Sequence, residues 1–518
     1  PDAEPKTTTA KPLPPIEDND FAAKIAGADR RFKSWRKKLA WVADLLEKDA
    51  PKLGTEELVY LAIYFRFMGN GQITFAEDGG HYRPSHHAKT ARRIHEHLSA
   101  ITTAENGFIL RKIYPRLPSY GTDFTRTEPL TRIRDIAHRN DIPQELKREI
   151  KTTLQNKLHR SAGPEDLVTS NNLLARITAQ QADYSSAFVE EFKRFHEELK
   201  EFFNARSLDA QLEGLIDEES HSRNALIRNF LAAKESMGTL AEQTTALEAL
   251  TELRFKLARE LDESAGPQAQ ELELTDIKLE EYCFVLLSHL VNSLESLQDD
   301  MPWERVVWCV QMTVRNLRLS GLEVEECEAI ESDLGLFCAG VDRADREQLI
   351  HLKAVLERAG RLAESYCRKI LALFPARAER LGRLLGVAEH AIKVFAEADI
   401  RSHPVFQLSK LVSLLQERIR IMASLPPWDV IVAGRASGRL VEMTRLGDEE
   451  GLRDEETVAL LNRVEGEEEI PPGVAAIIVA EATPHLSHLA VRARQEGVVF
   501  VVCEEGNLWA GIKDLLNR

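Results

Sequence analysis

The feature that most constrains this chain is a change of hydrophobic period near Pro426. From about Phe21 to Ser424 apolar residues recur at three- and four-residue steps, the spacing of one face of an α-helix. WRKKLAWVADLLEK (35–48) sets Trp35, Leu39, Val42 and Leu46 on one stripe, and FVEEFKRFHEELKEFF (188–203) does the same with Phe188, Phe192, Phe195, Leu199 and Phe202. LEEYCFVLLSHLVNSLESL (279–297) carries a third stripe, and Gly and Pro fall mostly between such stretches. After Pro426 the pattern becomes strand-like: WDVIVAG (428–434), GRLVEM (438–443), PPGVAAIIVAE (471–481) and VVFVVCEE (498–505) place β-branched residues between Gly, Ser and Pro. Between the last two, HLAVRARQEG (488–497) reads as a short helix. The expected fold is multidomain, a mostly α-helical body followed by a small α/β domain. The expected boundaries are a Pro-, Thr- and charge-rich linker at 1–20, helical domains at 21–205 and 206–425, and the α/β domain at 426–518.

Charge and cysteine usage narrow the function classes. The formal net charge of −16 is a poor basis for bulk binding to nucleic acid or to anionic membranes, both of which need a basic field. No apolar run approaches the roughly 18–20 residues that cross a bilayer. Cys283, Cys309, Cys327, Cys338, Cys367 and Cys503 form no C-x-x-C pair and no zinc spacing. They read as small buried apolar residues in a reducing setting. The acidic stretch 448–456 reads as a solvated surface.

The strongest chemical signal is Thr483 to Gly497, TPHLSHLAVRARQEG, between two apolar strands. His488 falls where a loop gives way to a helix, so free N–H groups and the positive end of the helix dipole favour an anion beside it. Ser487 can cap that helix, and Arg492, four residues on, shares a face with His488 and can grip phosphate oxygens. Neutral imidazole is a competent nucleophile near pH 7. A histidine that takes and passes on a phosphoryl group would want these neighbours. On spacing alone His485 is a comparable nucleophile, and a purely structural capping histidine also fits.

LSHLAVRARQEGVVFV closely resembles the phosphohistidine motif of dikinases and phosphoenolpyruvate-utilising enzymes. The phosphorylated histidine of that motif falls on His488, with Ser487 before it and its Ala-Arg pair on Ala493 and Arg494. The Thr-Gly-Gly segment usual in the phosphoenolpyruvate enzymes is absent, replaced by Ala482-Thr483-Pro484-His485-Leu486, which points to the glucan, water dikinase family. YFRFMGNGQITFAEDGGHYRPSHHAK (64–89), TRIRDIAHRNDIPQELKREIKTTLQNKLHRSAGPEDL (131–167), FVEEFKRFHEELKEFFNARSL (188–208) and WDVIVAGRASGRL (428–440) are similar to its phosphoglucan branch.

The resemblance implies a relay. The β-phosphate of ATP passes to the histidine and then to a glucosyl hydroxyl of starch-like glucan, with AMP and orthophosphate released. The phosphoglucan branch modifies C3 of glucan already phosphorylated at C6; the related α-glucan branch acts on C6. It further implies an N-terminal starch-binding module, a C-terminal nucleotide-binding domain using ATP and Mg²⁺, and a plastid location. Neither module is visible here, so the expectation is a central piece carrying the histidine, inactive alone, with the nucleotide domain and phosphorylated α-glucan as partners and homodimerisation open. For such a relay the small domain would swivel on a hinge near Leu425-Pro426-Pro427. A phosphoenolpyruvate-type transferase would need a TIM barrel, whose βα repetition is missing. A noncatalytic glucan-binding body is the other rival.

Two basic tracts remain. His81, Tyr82, Arg83, His86 and His87 form a donor-dense stretch read as a contact for phosphorylated glucan, against a metal site or a solvated helix start. Arg134, His138, Lys157 and His159 sit among Asp135, Asp141 and Glu149, a mixture that fits substrate contact or salt-bridged helix faces.

Overall fold

In a computed structural model the chain divides into two compact units, residues 1–207 with 372–396, and residues 208–371 with 397–518. The structure describes residues 13–16, 19–32, 34–69, 72–73, 88–103, 105–117, 128–155, 165–179, 184–202, 205–297, 300–337, 345–446, 456–464, 468–481 and 483–516.

The regular elements described in the first unit are all helices. Asp20 starts the first helix, Phe21–Arg31, by accepting the Ala23 amide at 2.7 Å. At its centre lies Thr55–Gly69, whose residues Leu58 to Met68 are all buried. A helix apolar on every face must be surrounded, and its Phe67 meets Phe395 edge-on with ring centroids 5.4 Å apart. The expected stripes are inside: Leu39, Val42 and Leu46, and Phe188, Phe192, Phe195 and Leu199, have no exposed surface.

The second unit joins long helices to the strands. Leu240–Glu263 opens with a full capping box between Thr239 and Glu242 and packs on Gly266–Glu295. Arg254 is fully buried there, held by both oxygens of Asp276 at 2.7 and 3.1 Å, with Asn316 taking another of its N–H groups. Trp303–Leu319 packs on both, Pro404–Ala423 packs on Gly266–Glu295 and on Trp303–Leu319, and Arg346 at the start of Arg346–Leu373 donates to the Ala423 carbonyl at 3.3 Å.

The α/β part follows Pro426. Strands β1 (Trp428–Val432), β2 (Arg439–Met443), β3 (Thr457–Leu461), β4 (Val474–Val479) and β5 (Val499–Cys503) form one sheet in the order β1-β5-β4-β3-β2. β1 pairs antiparallel with β5, and the other pairings are parallel. The protein is thus a mostly helical body followed by a small α/β domain. One strand was not anticipated: TVALL (457–461) is short and lies between acidic stretches, yet it pairs with both β2 and β4. The Gly506–Lys513 helix was missed as well; its Trp509 covers the second face of the sheet against Leu460 and Cys503. Helix His488–Glu496 covers the first face, burying Leu489, Ala490 and Ala493 against Ile477, Val479, Phe500 and Val502. The five described cysteines are all buried free thiols.

Candidate phosphohistidine site

The β4–helix–β5 segment is a parallel crossover, and in such units ligands gather beyond the carboxyl ends of the strands. His488 sits there, at the first residue of the crossover helix. Ser487 is the N-cap: its hydroxyl accepts the Ala490 amide at 3.2 Å. Gly497, at φ +73°, ends the helix in the left-handed conformation that suits glycine.

His488 is only 8% exposed, and its Nδ1 lies 2.6 Å from Oε1 of Glu397. Glu397 belongs to the Phe395–Arg401 helix, on the helical side of the same unit. Burial alone would raise its pKa, but the His488 hydrogen bond and the charges of Arg401 and Arg492 outweigh that and hold it below the usual value. The carboxylate therefore accepts, Nδ1–H donates, and in the neutral ring the lone pair is left on Nε2. That Nε2 is buried without a hydrogen-bond partner. Arg492 is 5% exposed and lies 3.7 Å from Oε2 of Glu397 and 3.4 Å from Glu469, while Arg401 reaches Oε1 of Glu397 at 3.0 Å. Two guanidinium groups and the Nδ1–H of His488 thus surround one buried carboxylate, while Nε2 of the same ring is left without a partner.

His485 has a different environment. Its Nε2 lies 3.0 Å from both oxygens of Asp429 on β1, and its Nδ1 lies 3.6 Å from Glu364. Burial opposes its protonation, but the Asp429 and Glu364 bonds prevail and raise its pKa to about 9. An imidazolium with both nitrogens engaged has no lone pair for attack, so the geometry separates the two histidines that spacing left equivalent. Arg494 shares this second cluster rather than the first: it donates to the carbonyls of His485 and Ile431 and reaches Glu364 at 3.3 Å.

Glu397, Arg401, Glu364 and Asp429 were not anticipated. They lie about 60 to 120 residues upstream, in stretches whose local pattern is ordinary helix or strand, and no spacing rule connects them to His488. Of the basic tracts, His81, Tyr82, Arg83, His86 and His87, and Lys157 and His159, lie outside the described residues. Arg134 is exposed and bonds its neighbour Asp135 at 3.2 Å, and the His138 ring closes on the Arg134 carbonyl at 2.7 Å. Next to them, Arg132 is taken by Glu198 and Arg139 by Asp141 and Glu191. Among the described residues no group of His, Cys, Asp or Glu could hold a metal ion, so the Mg²⁺ that the resemblance implies finds no donor set there and no step is assigned to it.

Comparison with known proteins decides the family. Residues 16–206 match the model of the phosphoglucan water dikinase linker domain, and residues 427–517 match the phosphohistidine-like domain of alpha-glucan water dikinase. The chain belongs to the glucan, water dikinase family. It is similar to alpha-glucan water dikinase 2 of Arabidopsis thaliana, 30% identical over 273 residues, covering 52% of this chain and 21% of that protein. The chloroplastic alpha-glucan water dikinases of Solanum tuberosum and Citrus reticulata are 29% and 31% identical, over 52% of this chain and 18% of each. The chain thus spans about a fifth of the length of these relatives. No solved structure matches it.

Proposed function

We propose that this chain is the phosphoryl-carrying part of a plastid enzyme that phosphorylates starch-like glucan, with His488 as the carrier. The observation that carries the reading is the pairing of a buried, unpartnered Nε2 with a carboxylate that holds the opposite ring nitrogen. Nε2 attacks the β-phosphorus of ATP and AMP leaves with the Pα–O–Pβ bond broken. Water then takes the γ-phosphoryl group as orthophosphate, leaving one phosphoryl group on Nε2. With Nδ1 still protonated the ring is cationic, and Glu397 stabilises that charge. A glucosyl hydroxyl next attacks the phosphorus, the N–P bond breaks, the hydroxyl proton passes to solvent, and the neutral imidazole returns. The preferred acceptor is C3 of glucan already carrying phosphate, because the linker region matches the phosphoglucan enzyme; C6 is the second reading, because the phosphohistidine region and the relatives above carry the alpha-glucan name.

Since Nε2 is buried, the donor reaches it only after the α/β part leaves the Phe395–Arg401 helix, which suits a swivelling carrier. The test supplies ATP labelled at the β or γ position to the protein in its longer, nucleotide-binding form. Acid-labile, base-stable label from the β position alone, lost in His488→Ala, is expected. No label from either position, or label that survives in His488→Ala, overturns the reading.

A further inference from the structure

Within the second unit, on the His485 side of the α/β part, lies a cavity of about 580 Å³ that His488 does not line. It is walled by the Arg346–Leu373 helix, the Pro404–Ala423 helix and β1, and its size is that of a ligand pocket, roughly 300–1,000 Å³.

Its lining combines two chemistries. Trp428, Val430 and Ile350 line it while being 40%, 50% and 41% exposed, an unusual concentration of uncovered apolar surface for one short strand and one helix turn. Opposite chemistry comes from Gln416, which is 6% exposed yet has no side-chain hydrogen bond to any described residue. Its amide lines the cavity with two donors and an acceptor that no described side chain takes, so they are open to a ligand. The charged groups around it are already matched: Lys353 with Glu357, His485 with Asp429 and Glu364, and Arg420 with Glu504. Arg361 adds one exposed guanidinium.

A polyphosphate needs an excess of cations or a nest of backbone amides, and this lining supplies neither. A neutral polyol with one apolar face fits it: a pyranose ring stacks its C–H face on an indole, and its hydroxyls use amide, carboxylate and guanidinium groups at the edge. We propose that this cavity is a binding site for a neutral glucosyl chain, with Trp428 as the stacking platform and the cavity-lining amide of Gln416 as the hydroxyl partner. The choice of glucosyl over other sugars rests on the glucan-acceptor reading above; the site as a sugar pocket does not.

The test is calorimetric titration of the 518-residue chain with maltoheptaose. Saturable binding is expected, weakened at least tenfold in Trp428→Ala and in Gln416→Leu and unchanged in His488→Ala. Trp428 is an exposed side chain on an edge strand, so its variant keeps the test interpretable where Gln416→Leu fails to fold. No binding at millimolar sugar, or binding undiminished in Trp428→Ala, overturns the proposal. Competition by inorganic phosphate at equal concentration also overturns it, since it would mark an anion site. β-Label on His488 without maltoheptaose binding overturns this proposal alone, and maltoheptaose binding without label overturns the relay alone.

Discussion

At the scale of single residues the decisive contact is the one between His488 and Glu397. The carboxylate selects the Nδ1–H tautomer and aims the ring, and in the proposed relay it would be the counter-charge to a phosphorylated imidazolium. Glu397→Gln keeps the shape and removes the charge. Labelling of His488 is expected to slow by roughly 10–100-fold, the usual cost of losing a carboxylate that orients a functional histidine. Pulse labelling with ATP and acid quench measures it. A merely structural role would lower thermal stability and leave the labelling rate of the folded fraction unchanged. His488 itself was legible from Ser487, Arg492 and the strand–loop–helix context, whereas Glu397 was not, because its local sequence, AEADIR, is that of any helix end.

At the scale of elements, the crossover helix His488–Glu496 is what places the histidine. It has nine residues, too short to be stable alone, so its caps and its buried face carry it. Gly497 stands at φ +73° with open space around its Cα. Gly497→Ala is therefore expected to cost about 1–2 kcal/mol through backbone strain alone, with no steric clash, measured by thermal or urea unfolding. Gly438 matters for another reason: a Cβ there would lie 2.3 Å from the Glu456 carbonyl, so the start of β2 meets β3 with room only for hydrogen. The strands β1, β2, β4 and β5 were visible as apolar runs between turn residues. β3 was hidden because five residues inside acidic surroundings carry too little pattern, and only pairing on both sides makes them a strand.

At the scale of the whole second unit, the α/β part is fastened to the helices by ionic contacts. Arg420 on the Pro404–Ala423 helix grips Glu504 after β5, and Ser409 accepts the Leu486 amide at 3.0 Å. His485 bonds Asp429 on β1 and Glu364 on the Arg346–Leu373 helix, with Arg494 also on Glu364. These contacts titrate in opposite senses. His485 is raised from 6.5 to about 9, so its contribution is fully present below about 6.5 and is lost as the pH rises through about 9. Glu364 and Asp429 are held below their usual 4.5 and 3.8; burial opposes this for Asp429 and is overcome by His485, and for Glu364 the His485 bond is the leading cause. Their contribution is present above those usual values and lost as the pH falls through the lowered ones. The fastening is thus expected to be firmest between about pH 4.5 and 6.5, where every contribution is complete. Hydrogen exchange of β1 and of residues 483–497 checks this: protection should fall as the pH rises from about 6.5 to 9 after correction for intrinsic rates, and His485→Gln should remove that fall.

The sequence by itself determined the helical body, the switch to strands after Pro426 and the place of His488, because periodicity and capping are local and survive in a one-dimensional reading. Only the tertiary structure decided which histidine keeps a free nitrogen. That choice depends on carboxylates brought from distant helices and strands, and on whether each ring nitrogen meets one of them or none. The matched charges and the unpartnered Gln416 amide of the Trp428 cavity belong to the same class of fact. They are set by burial, which is a property of the assembled unit and of no single segment.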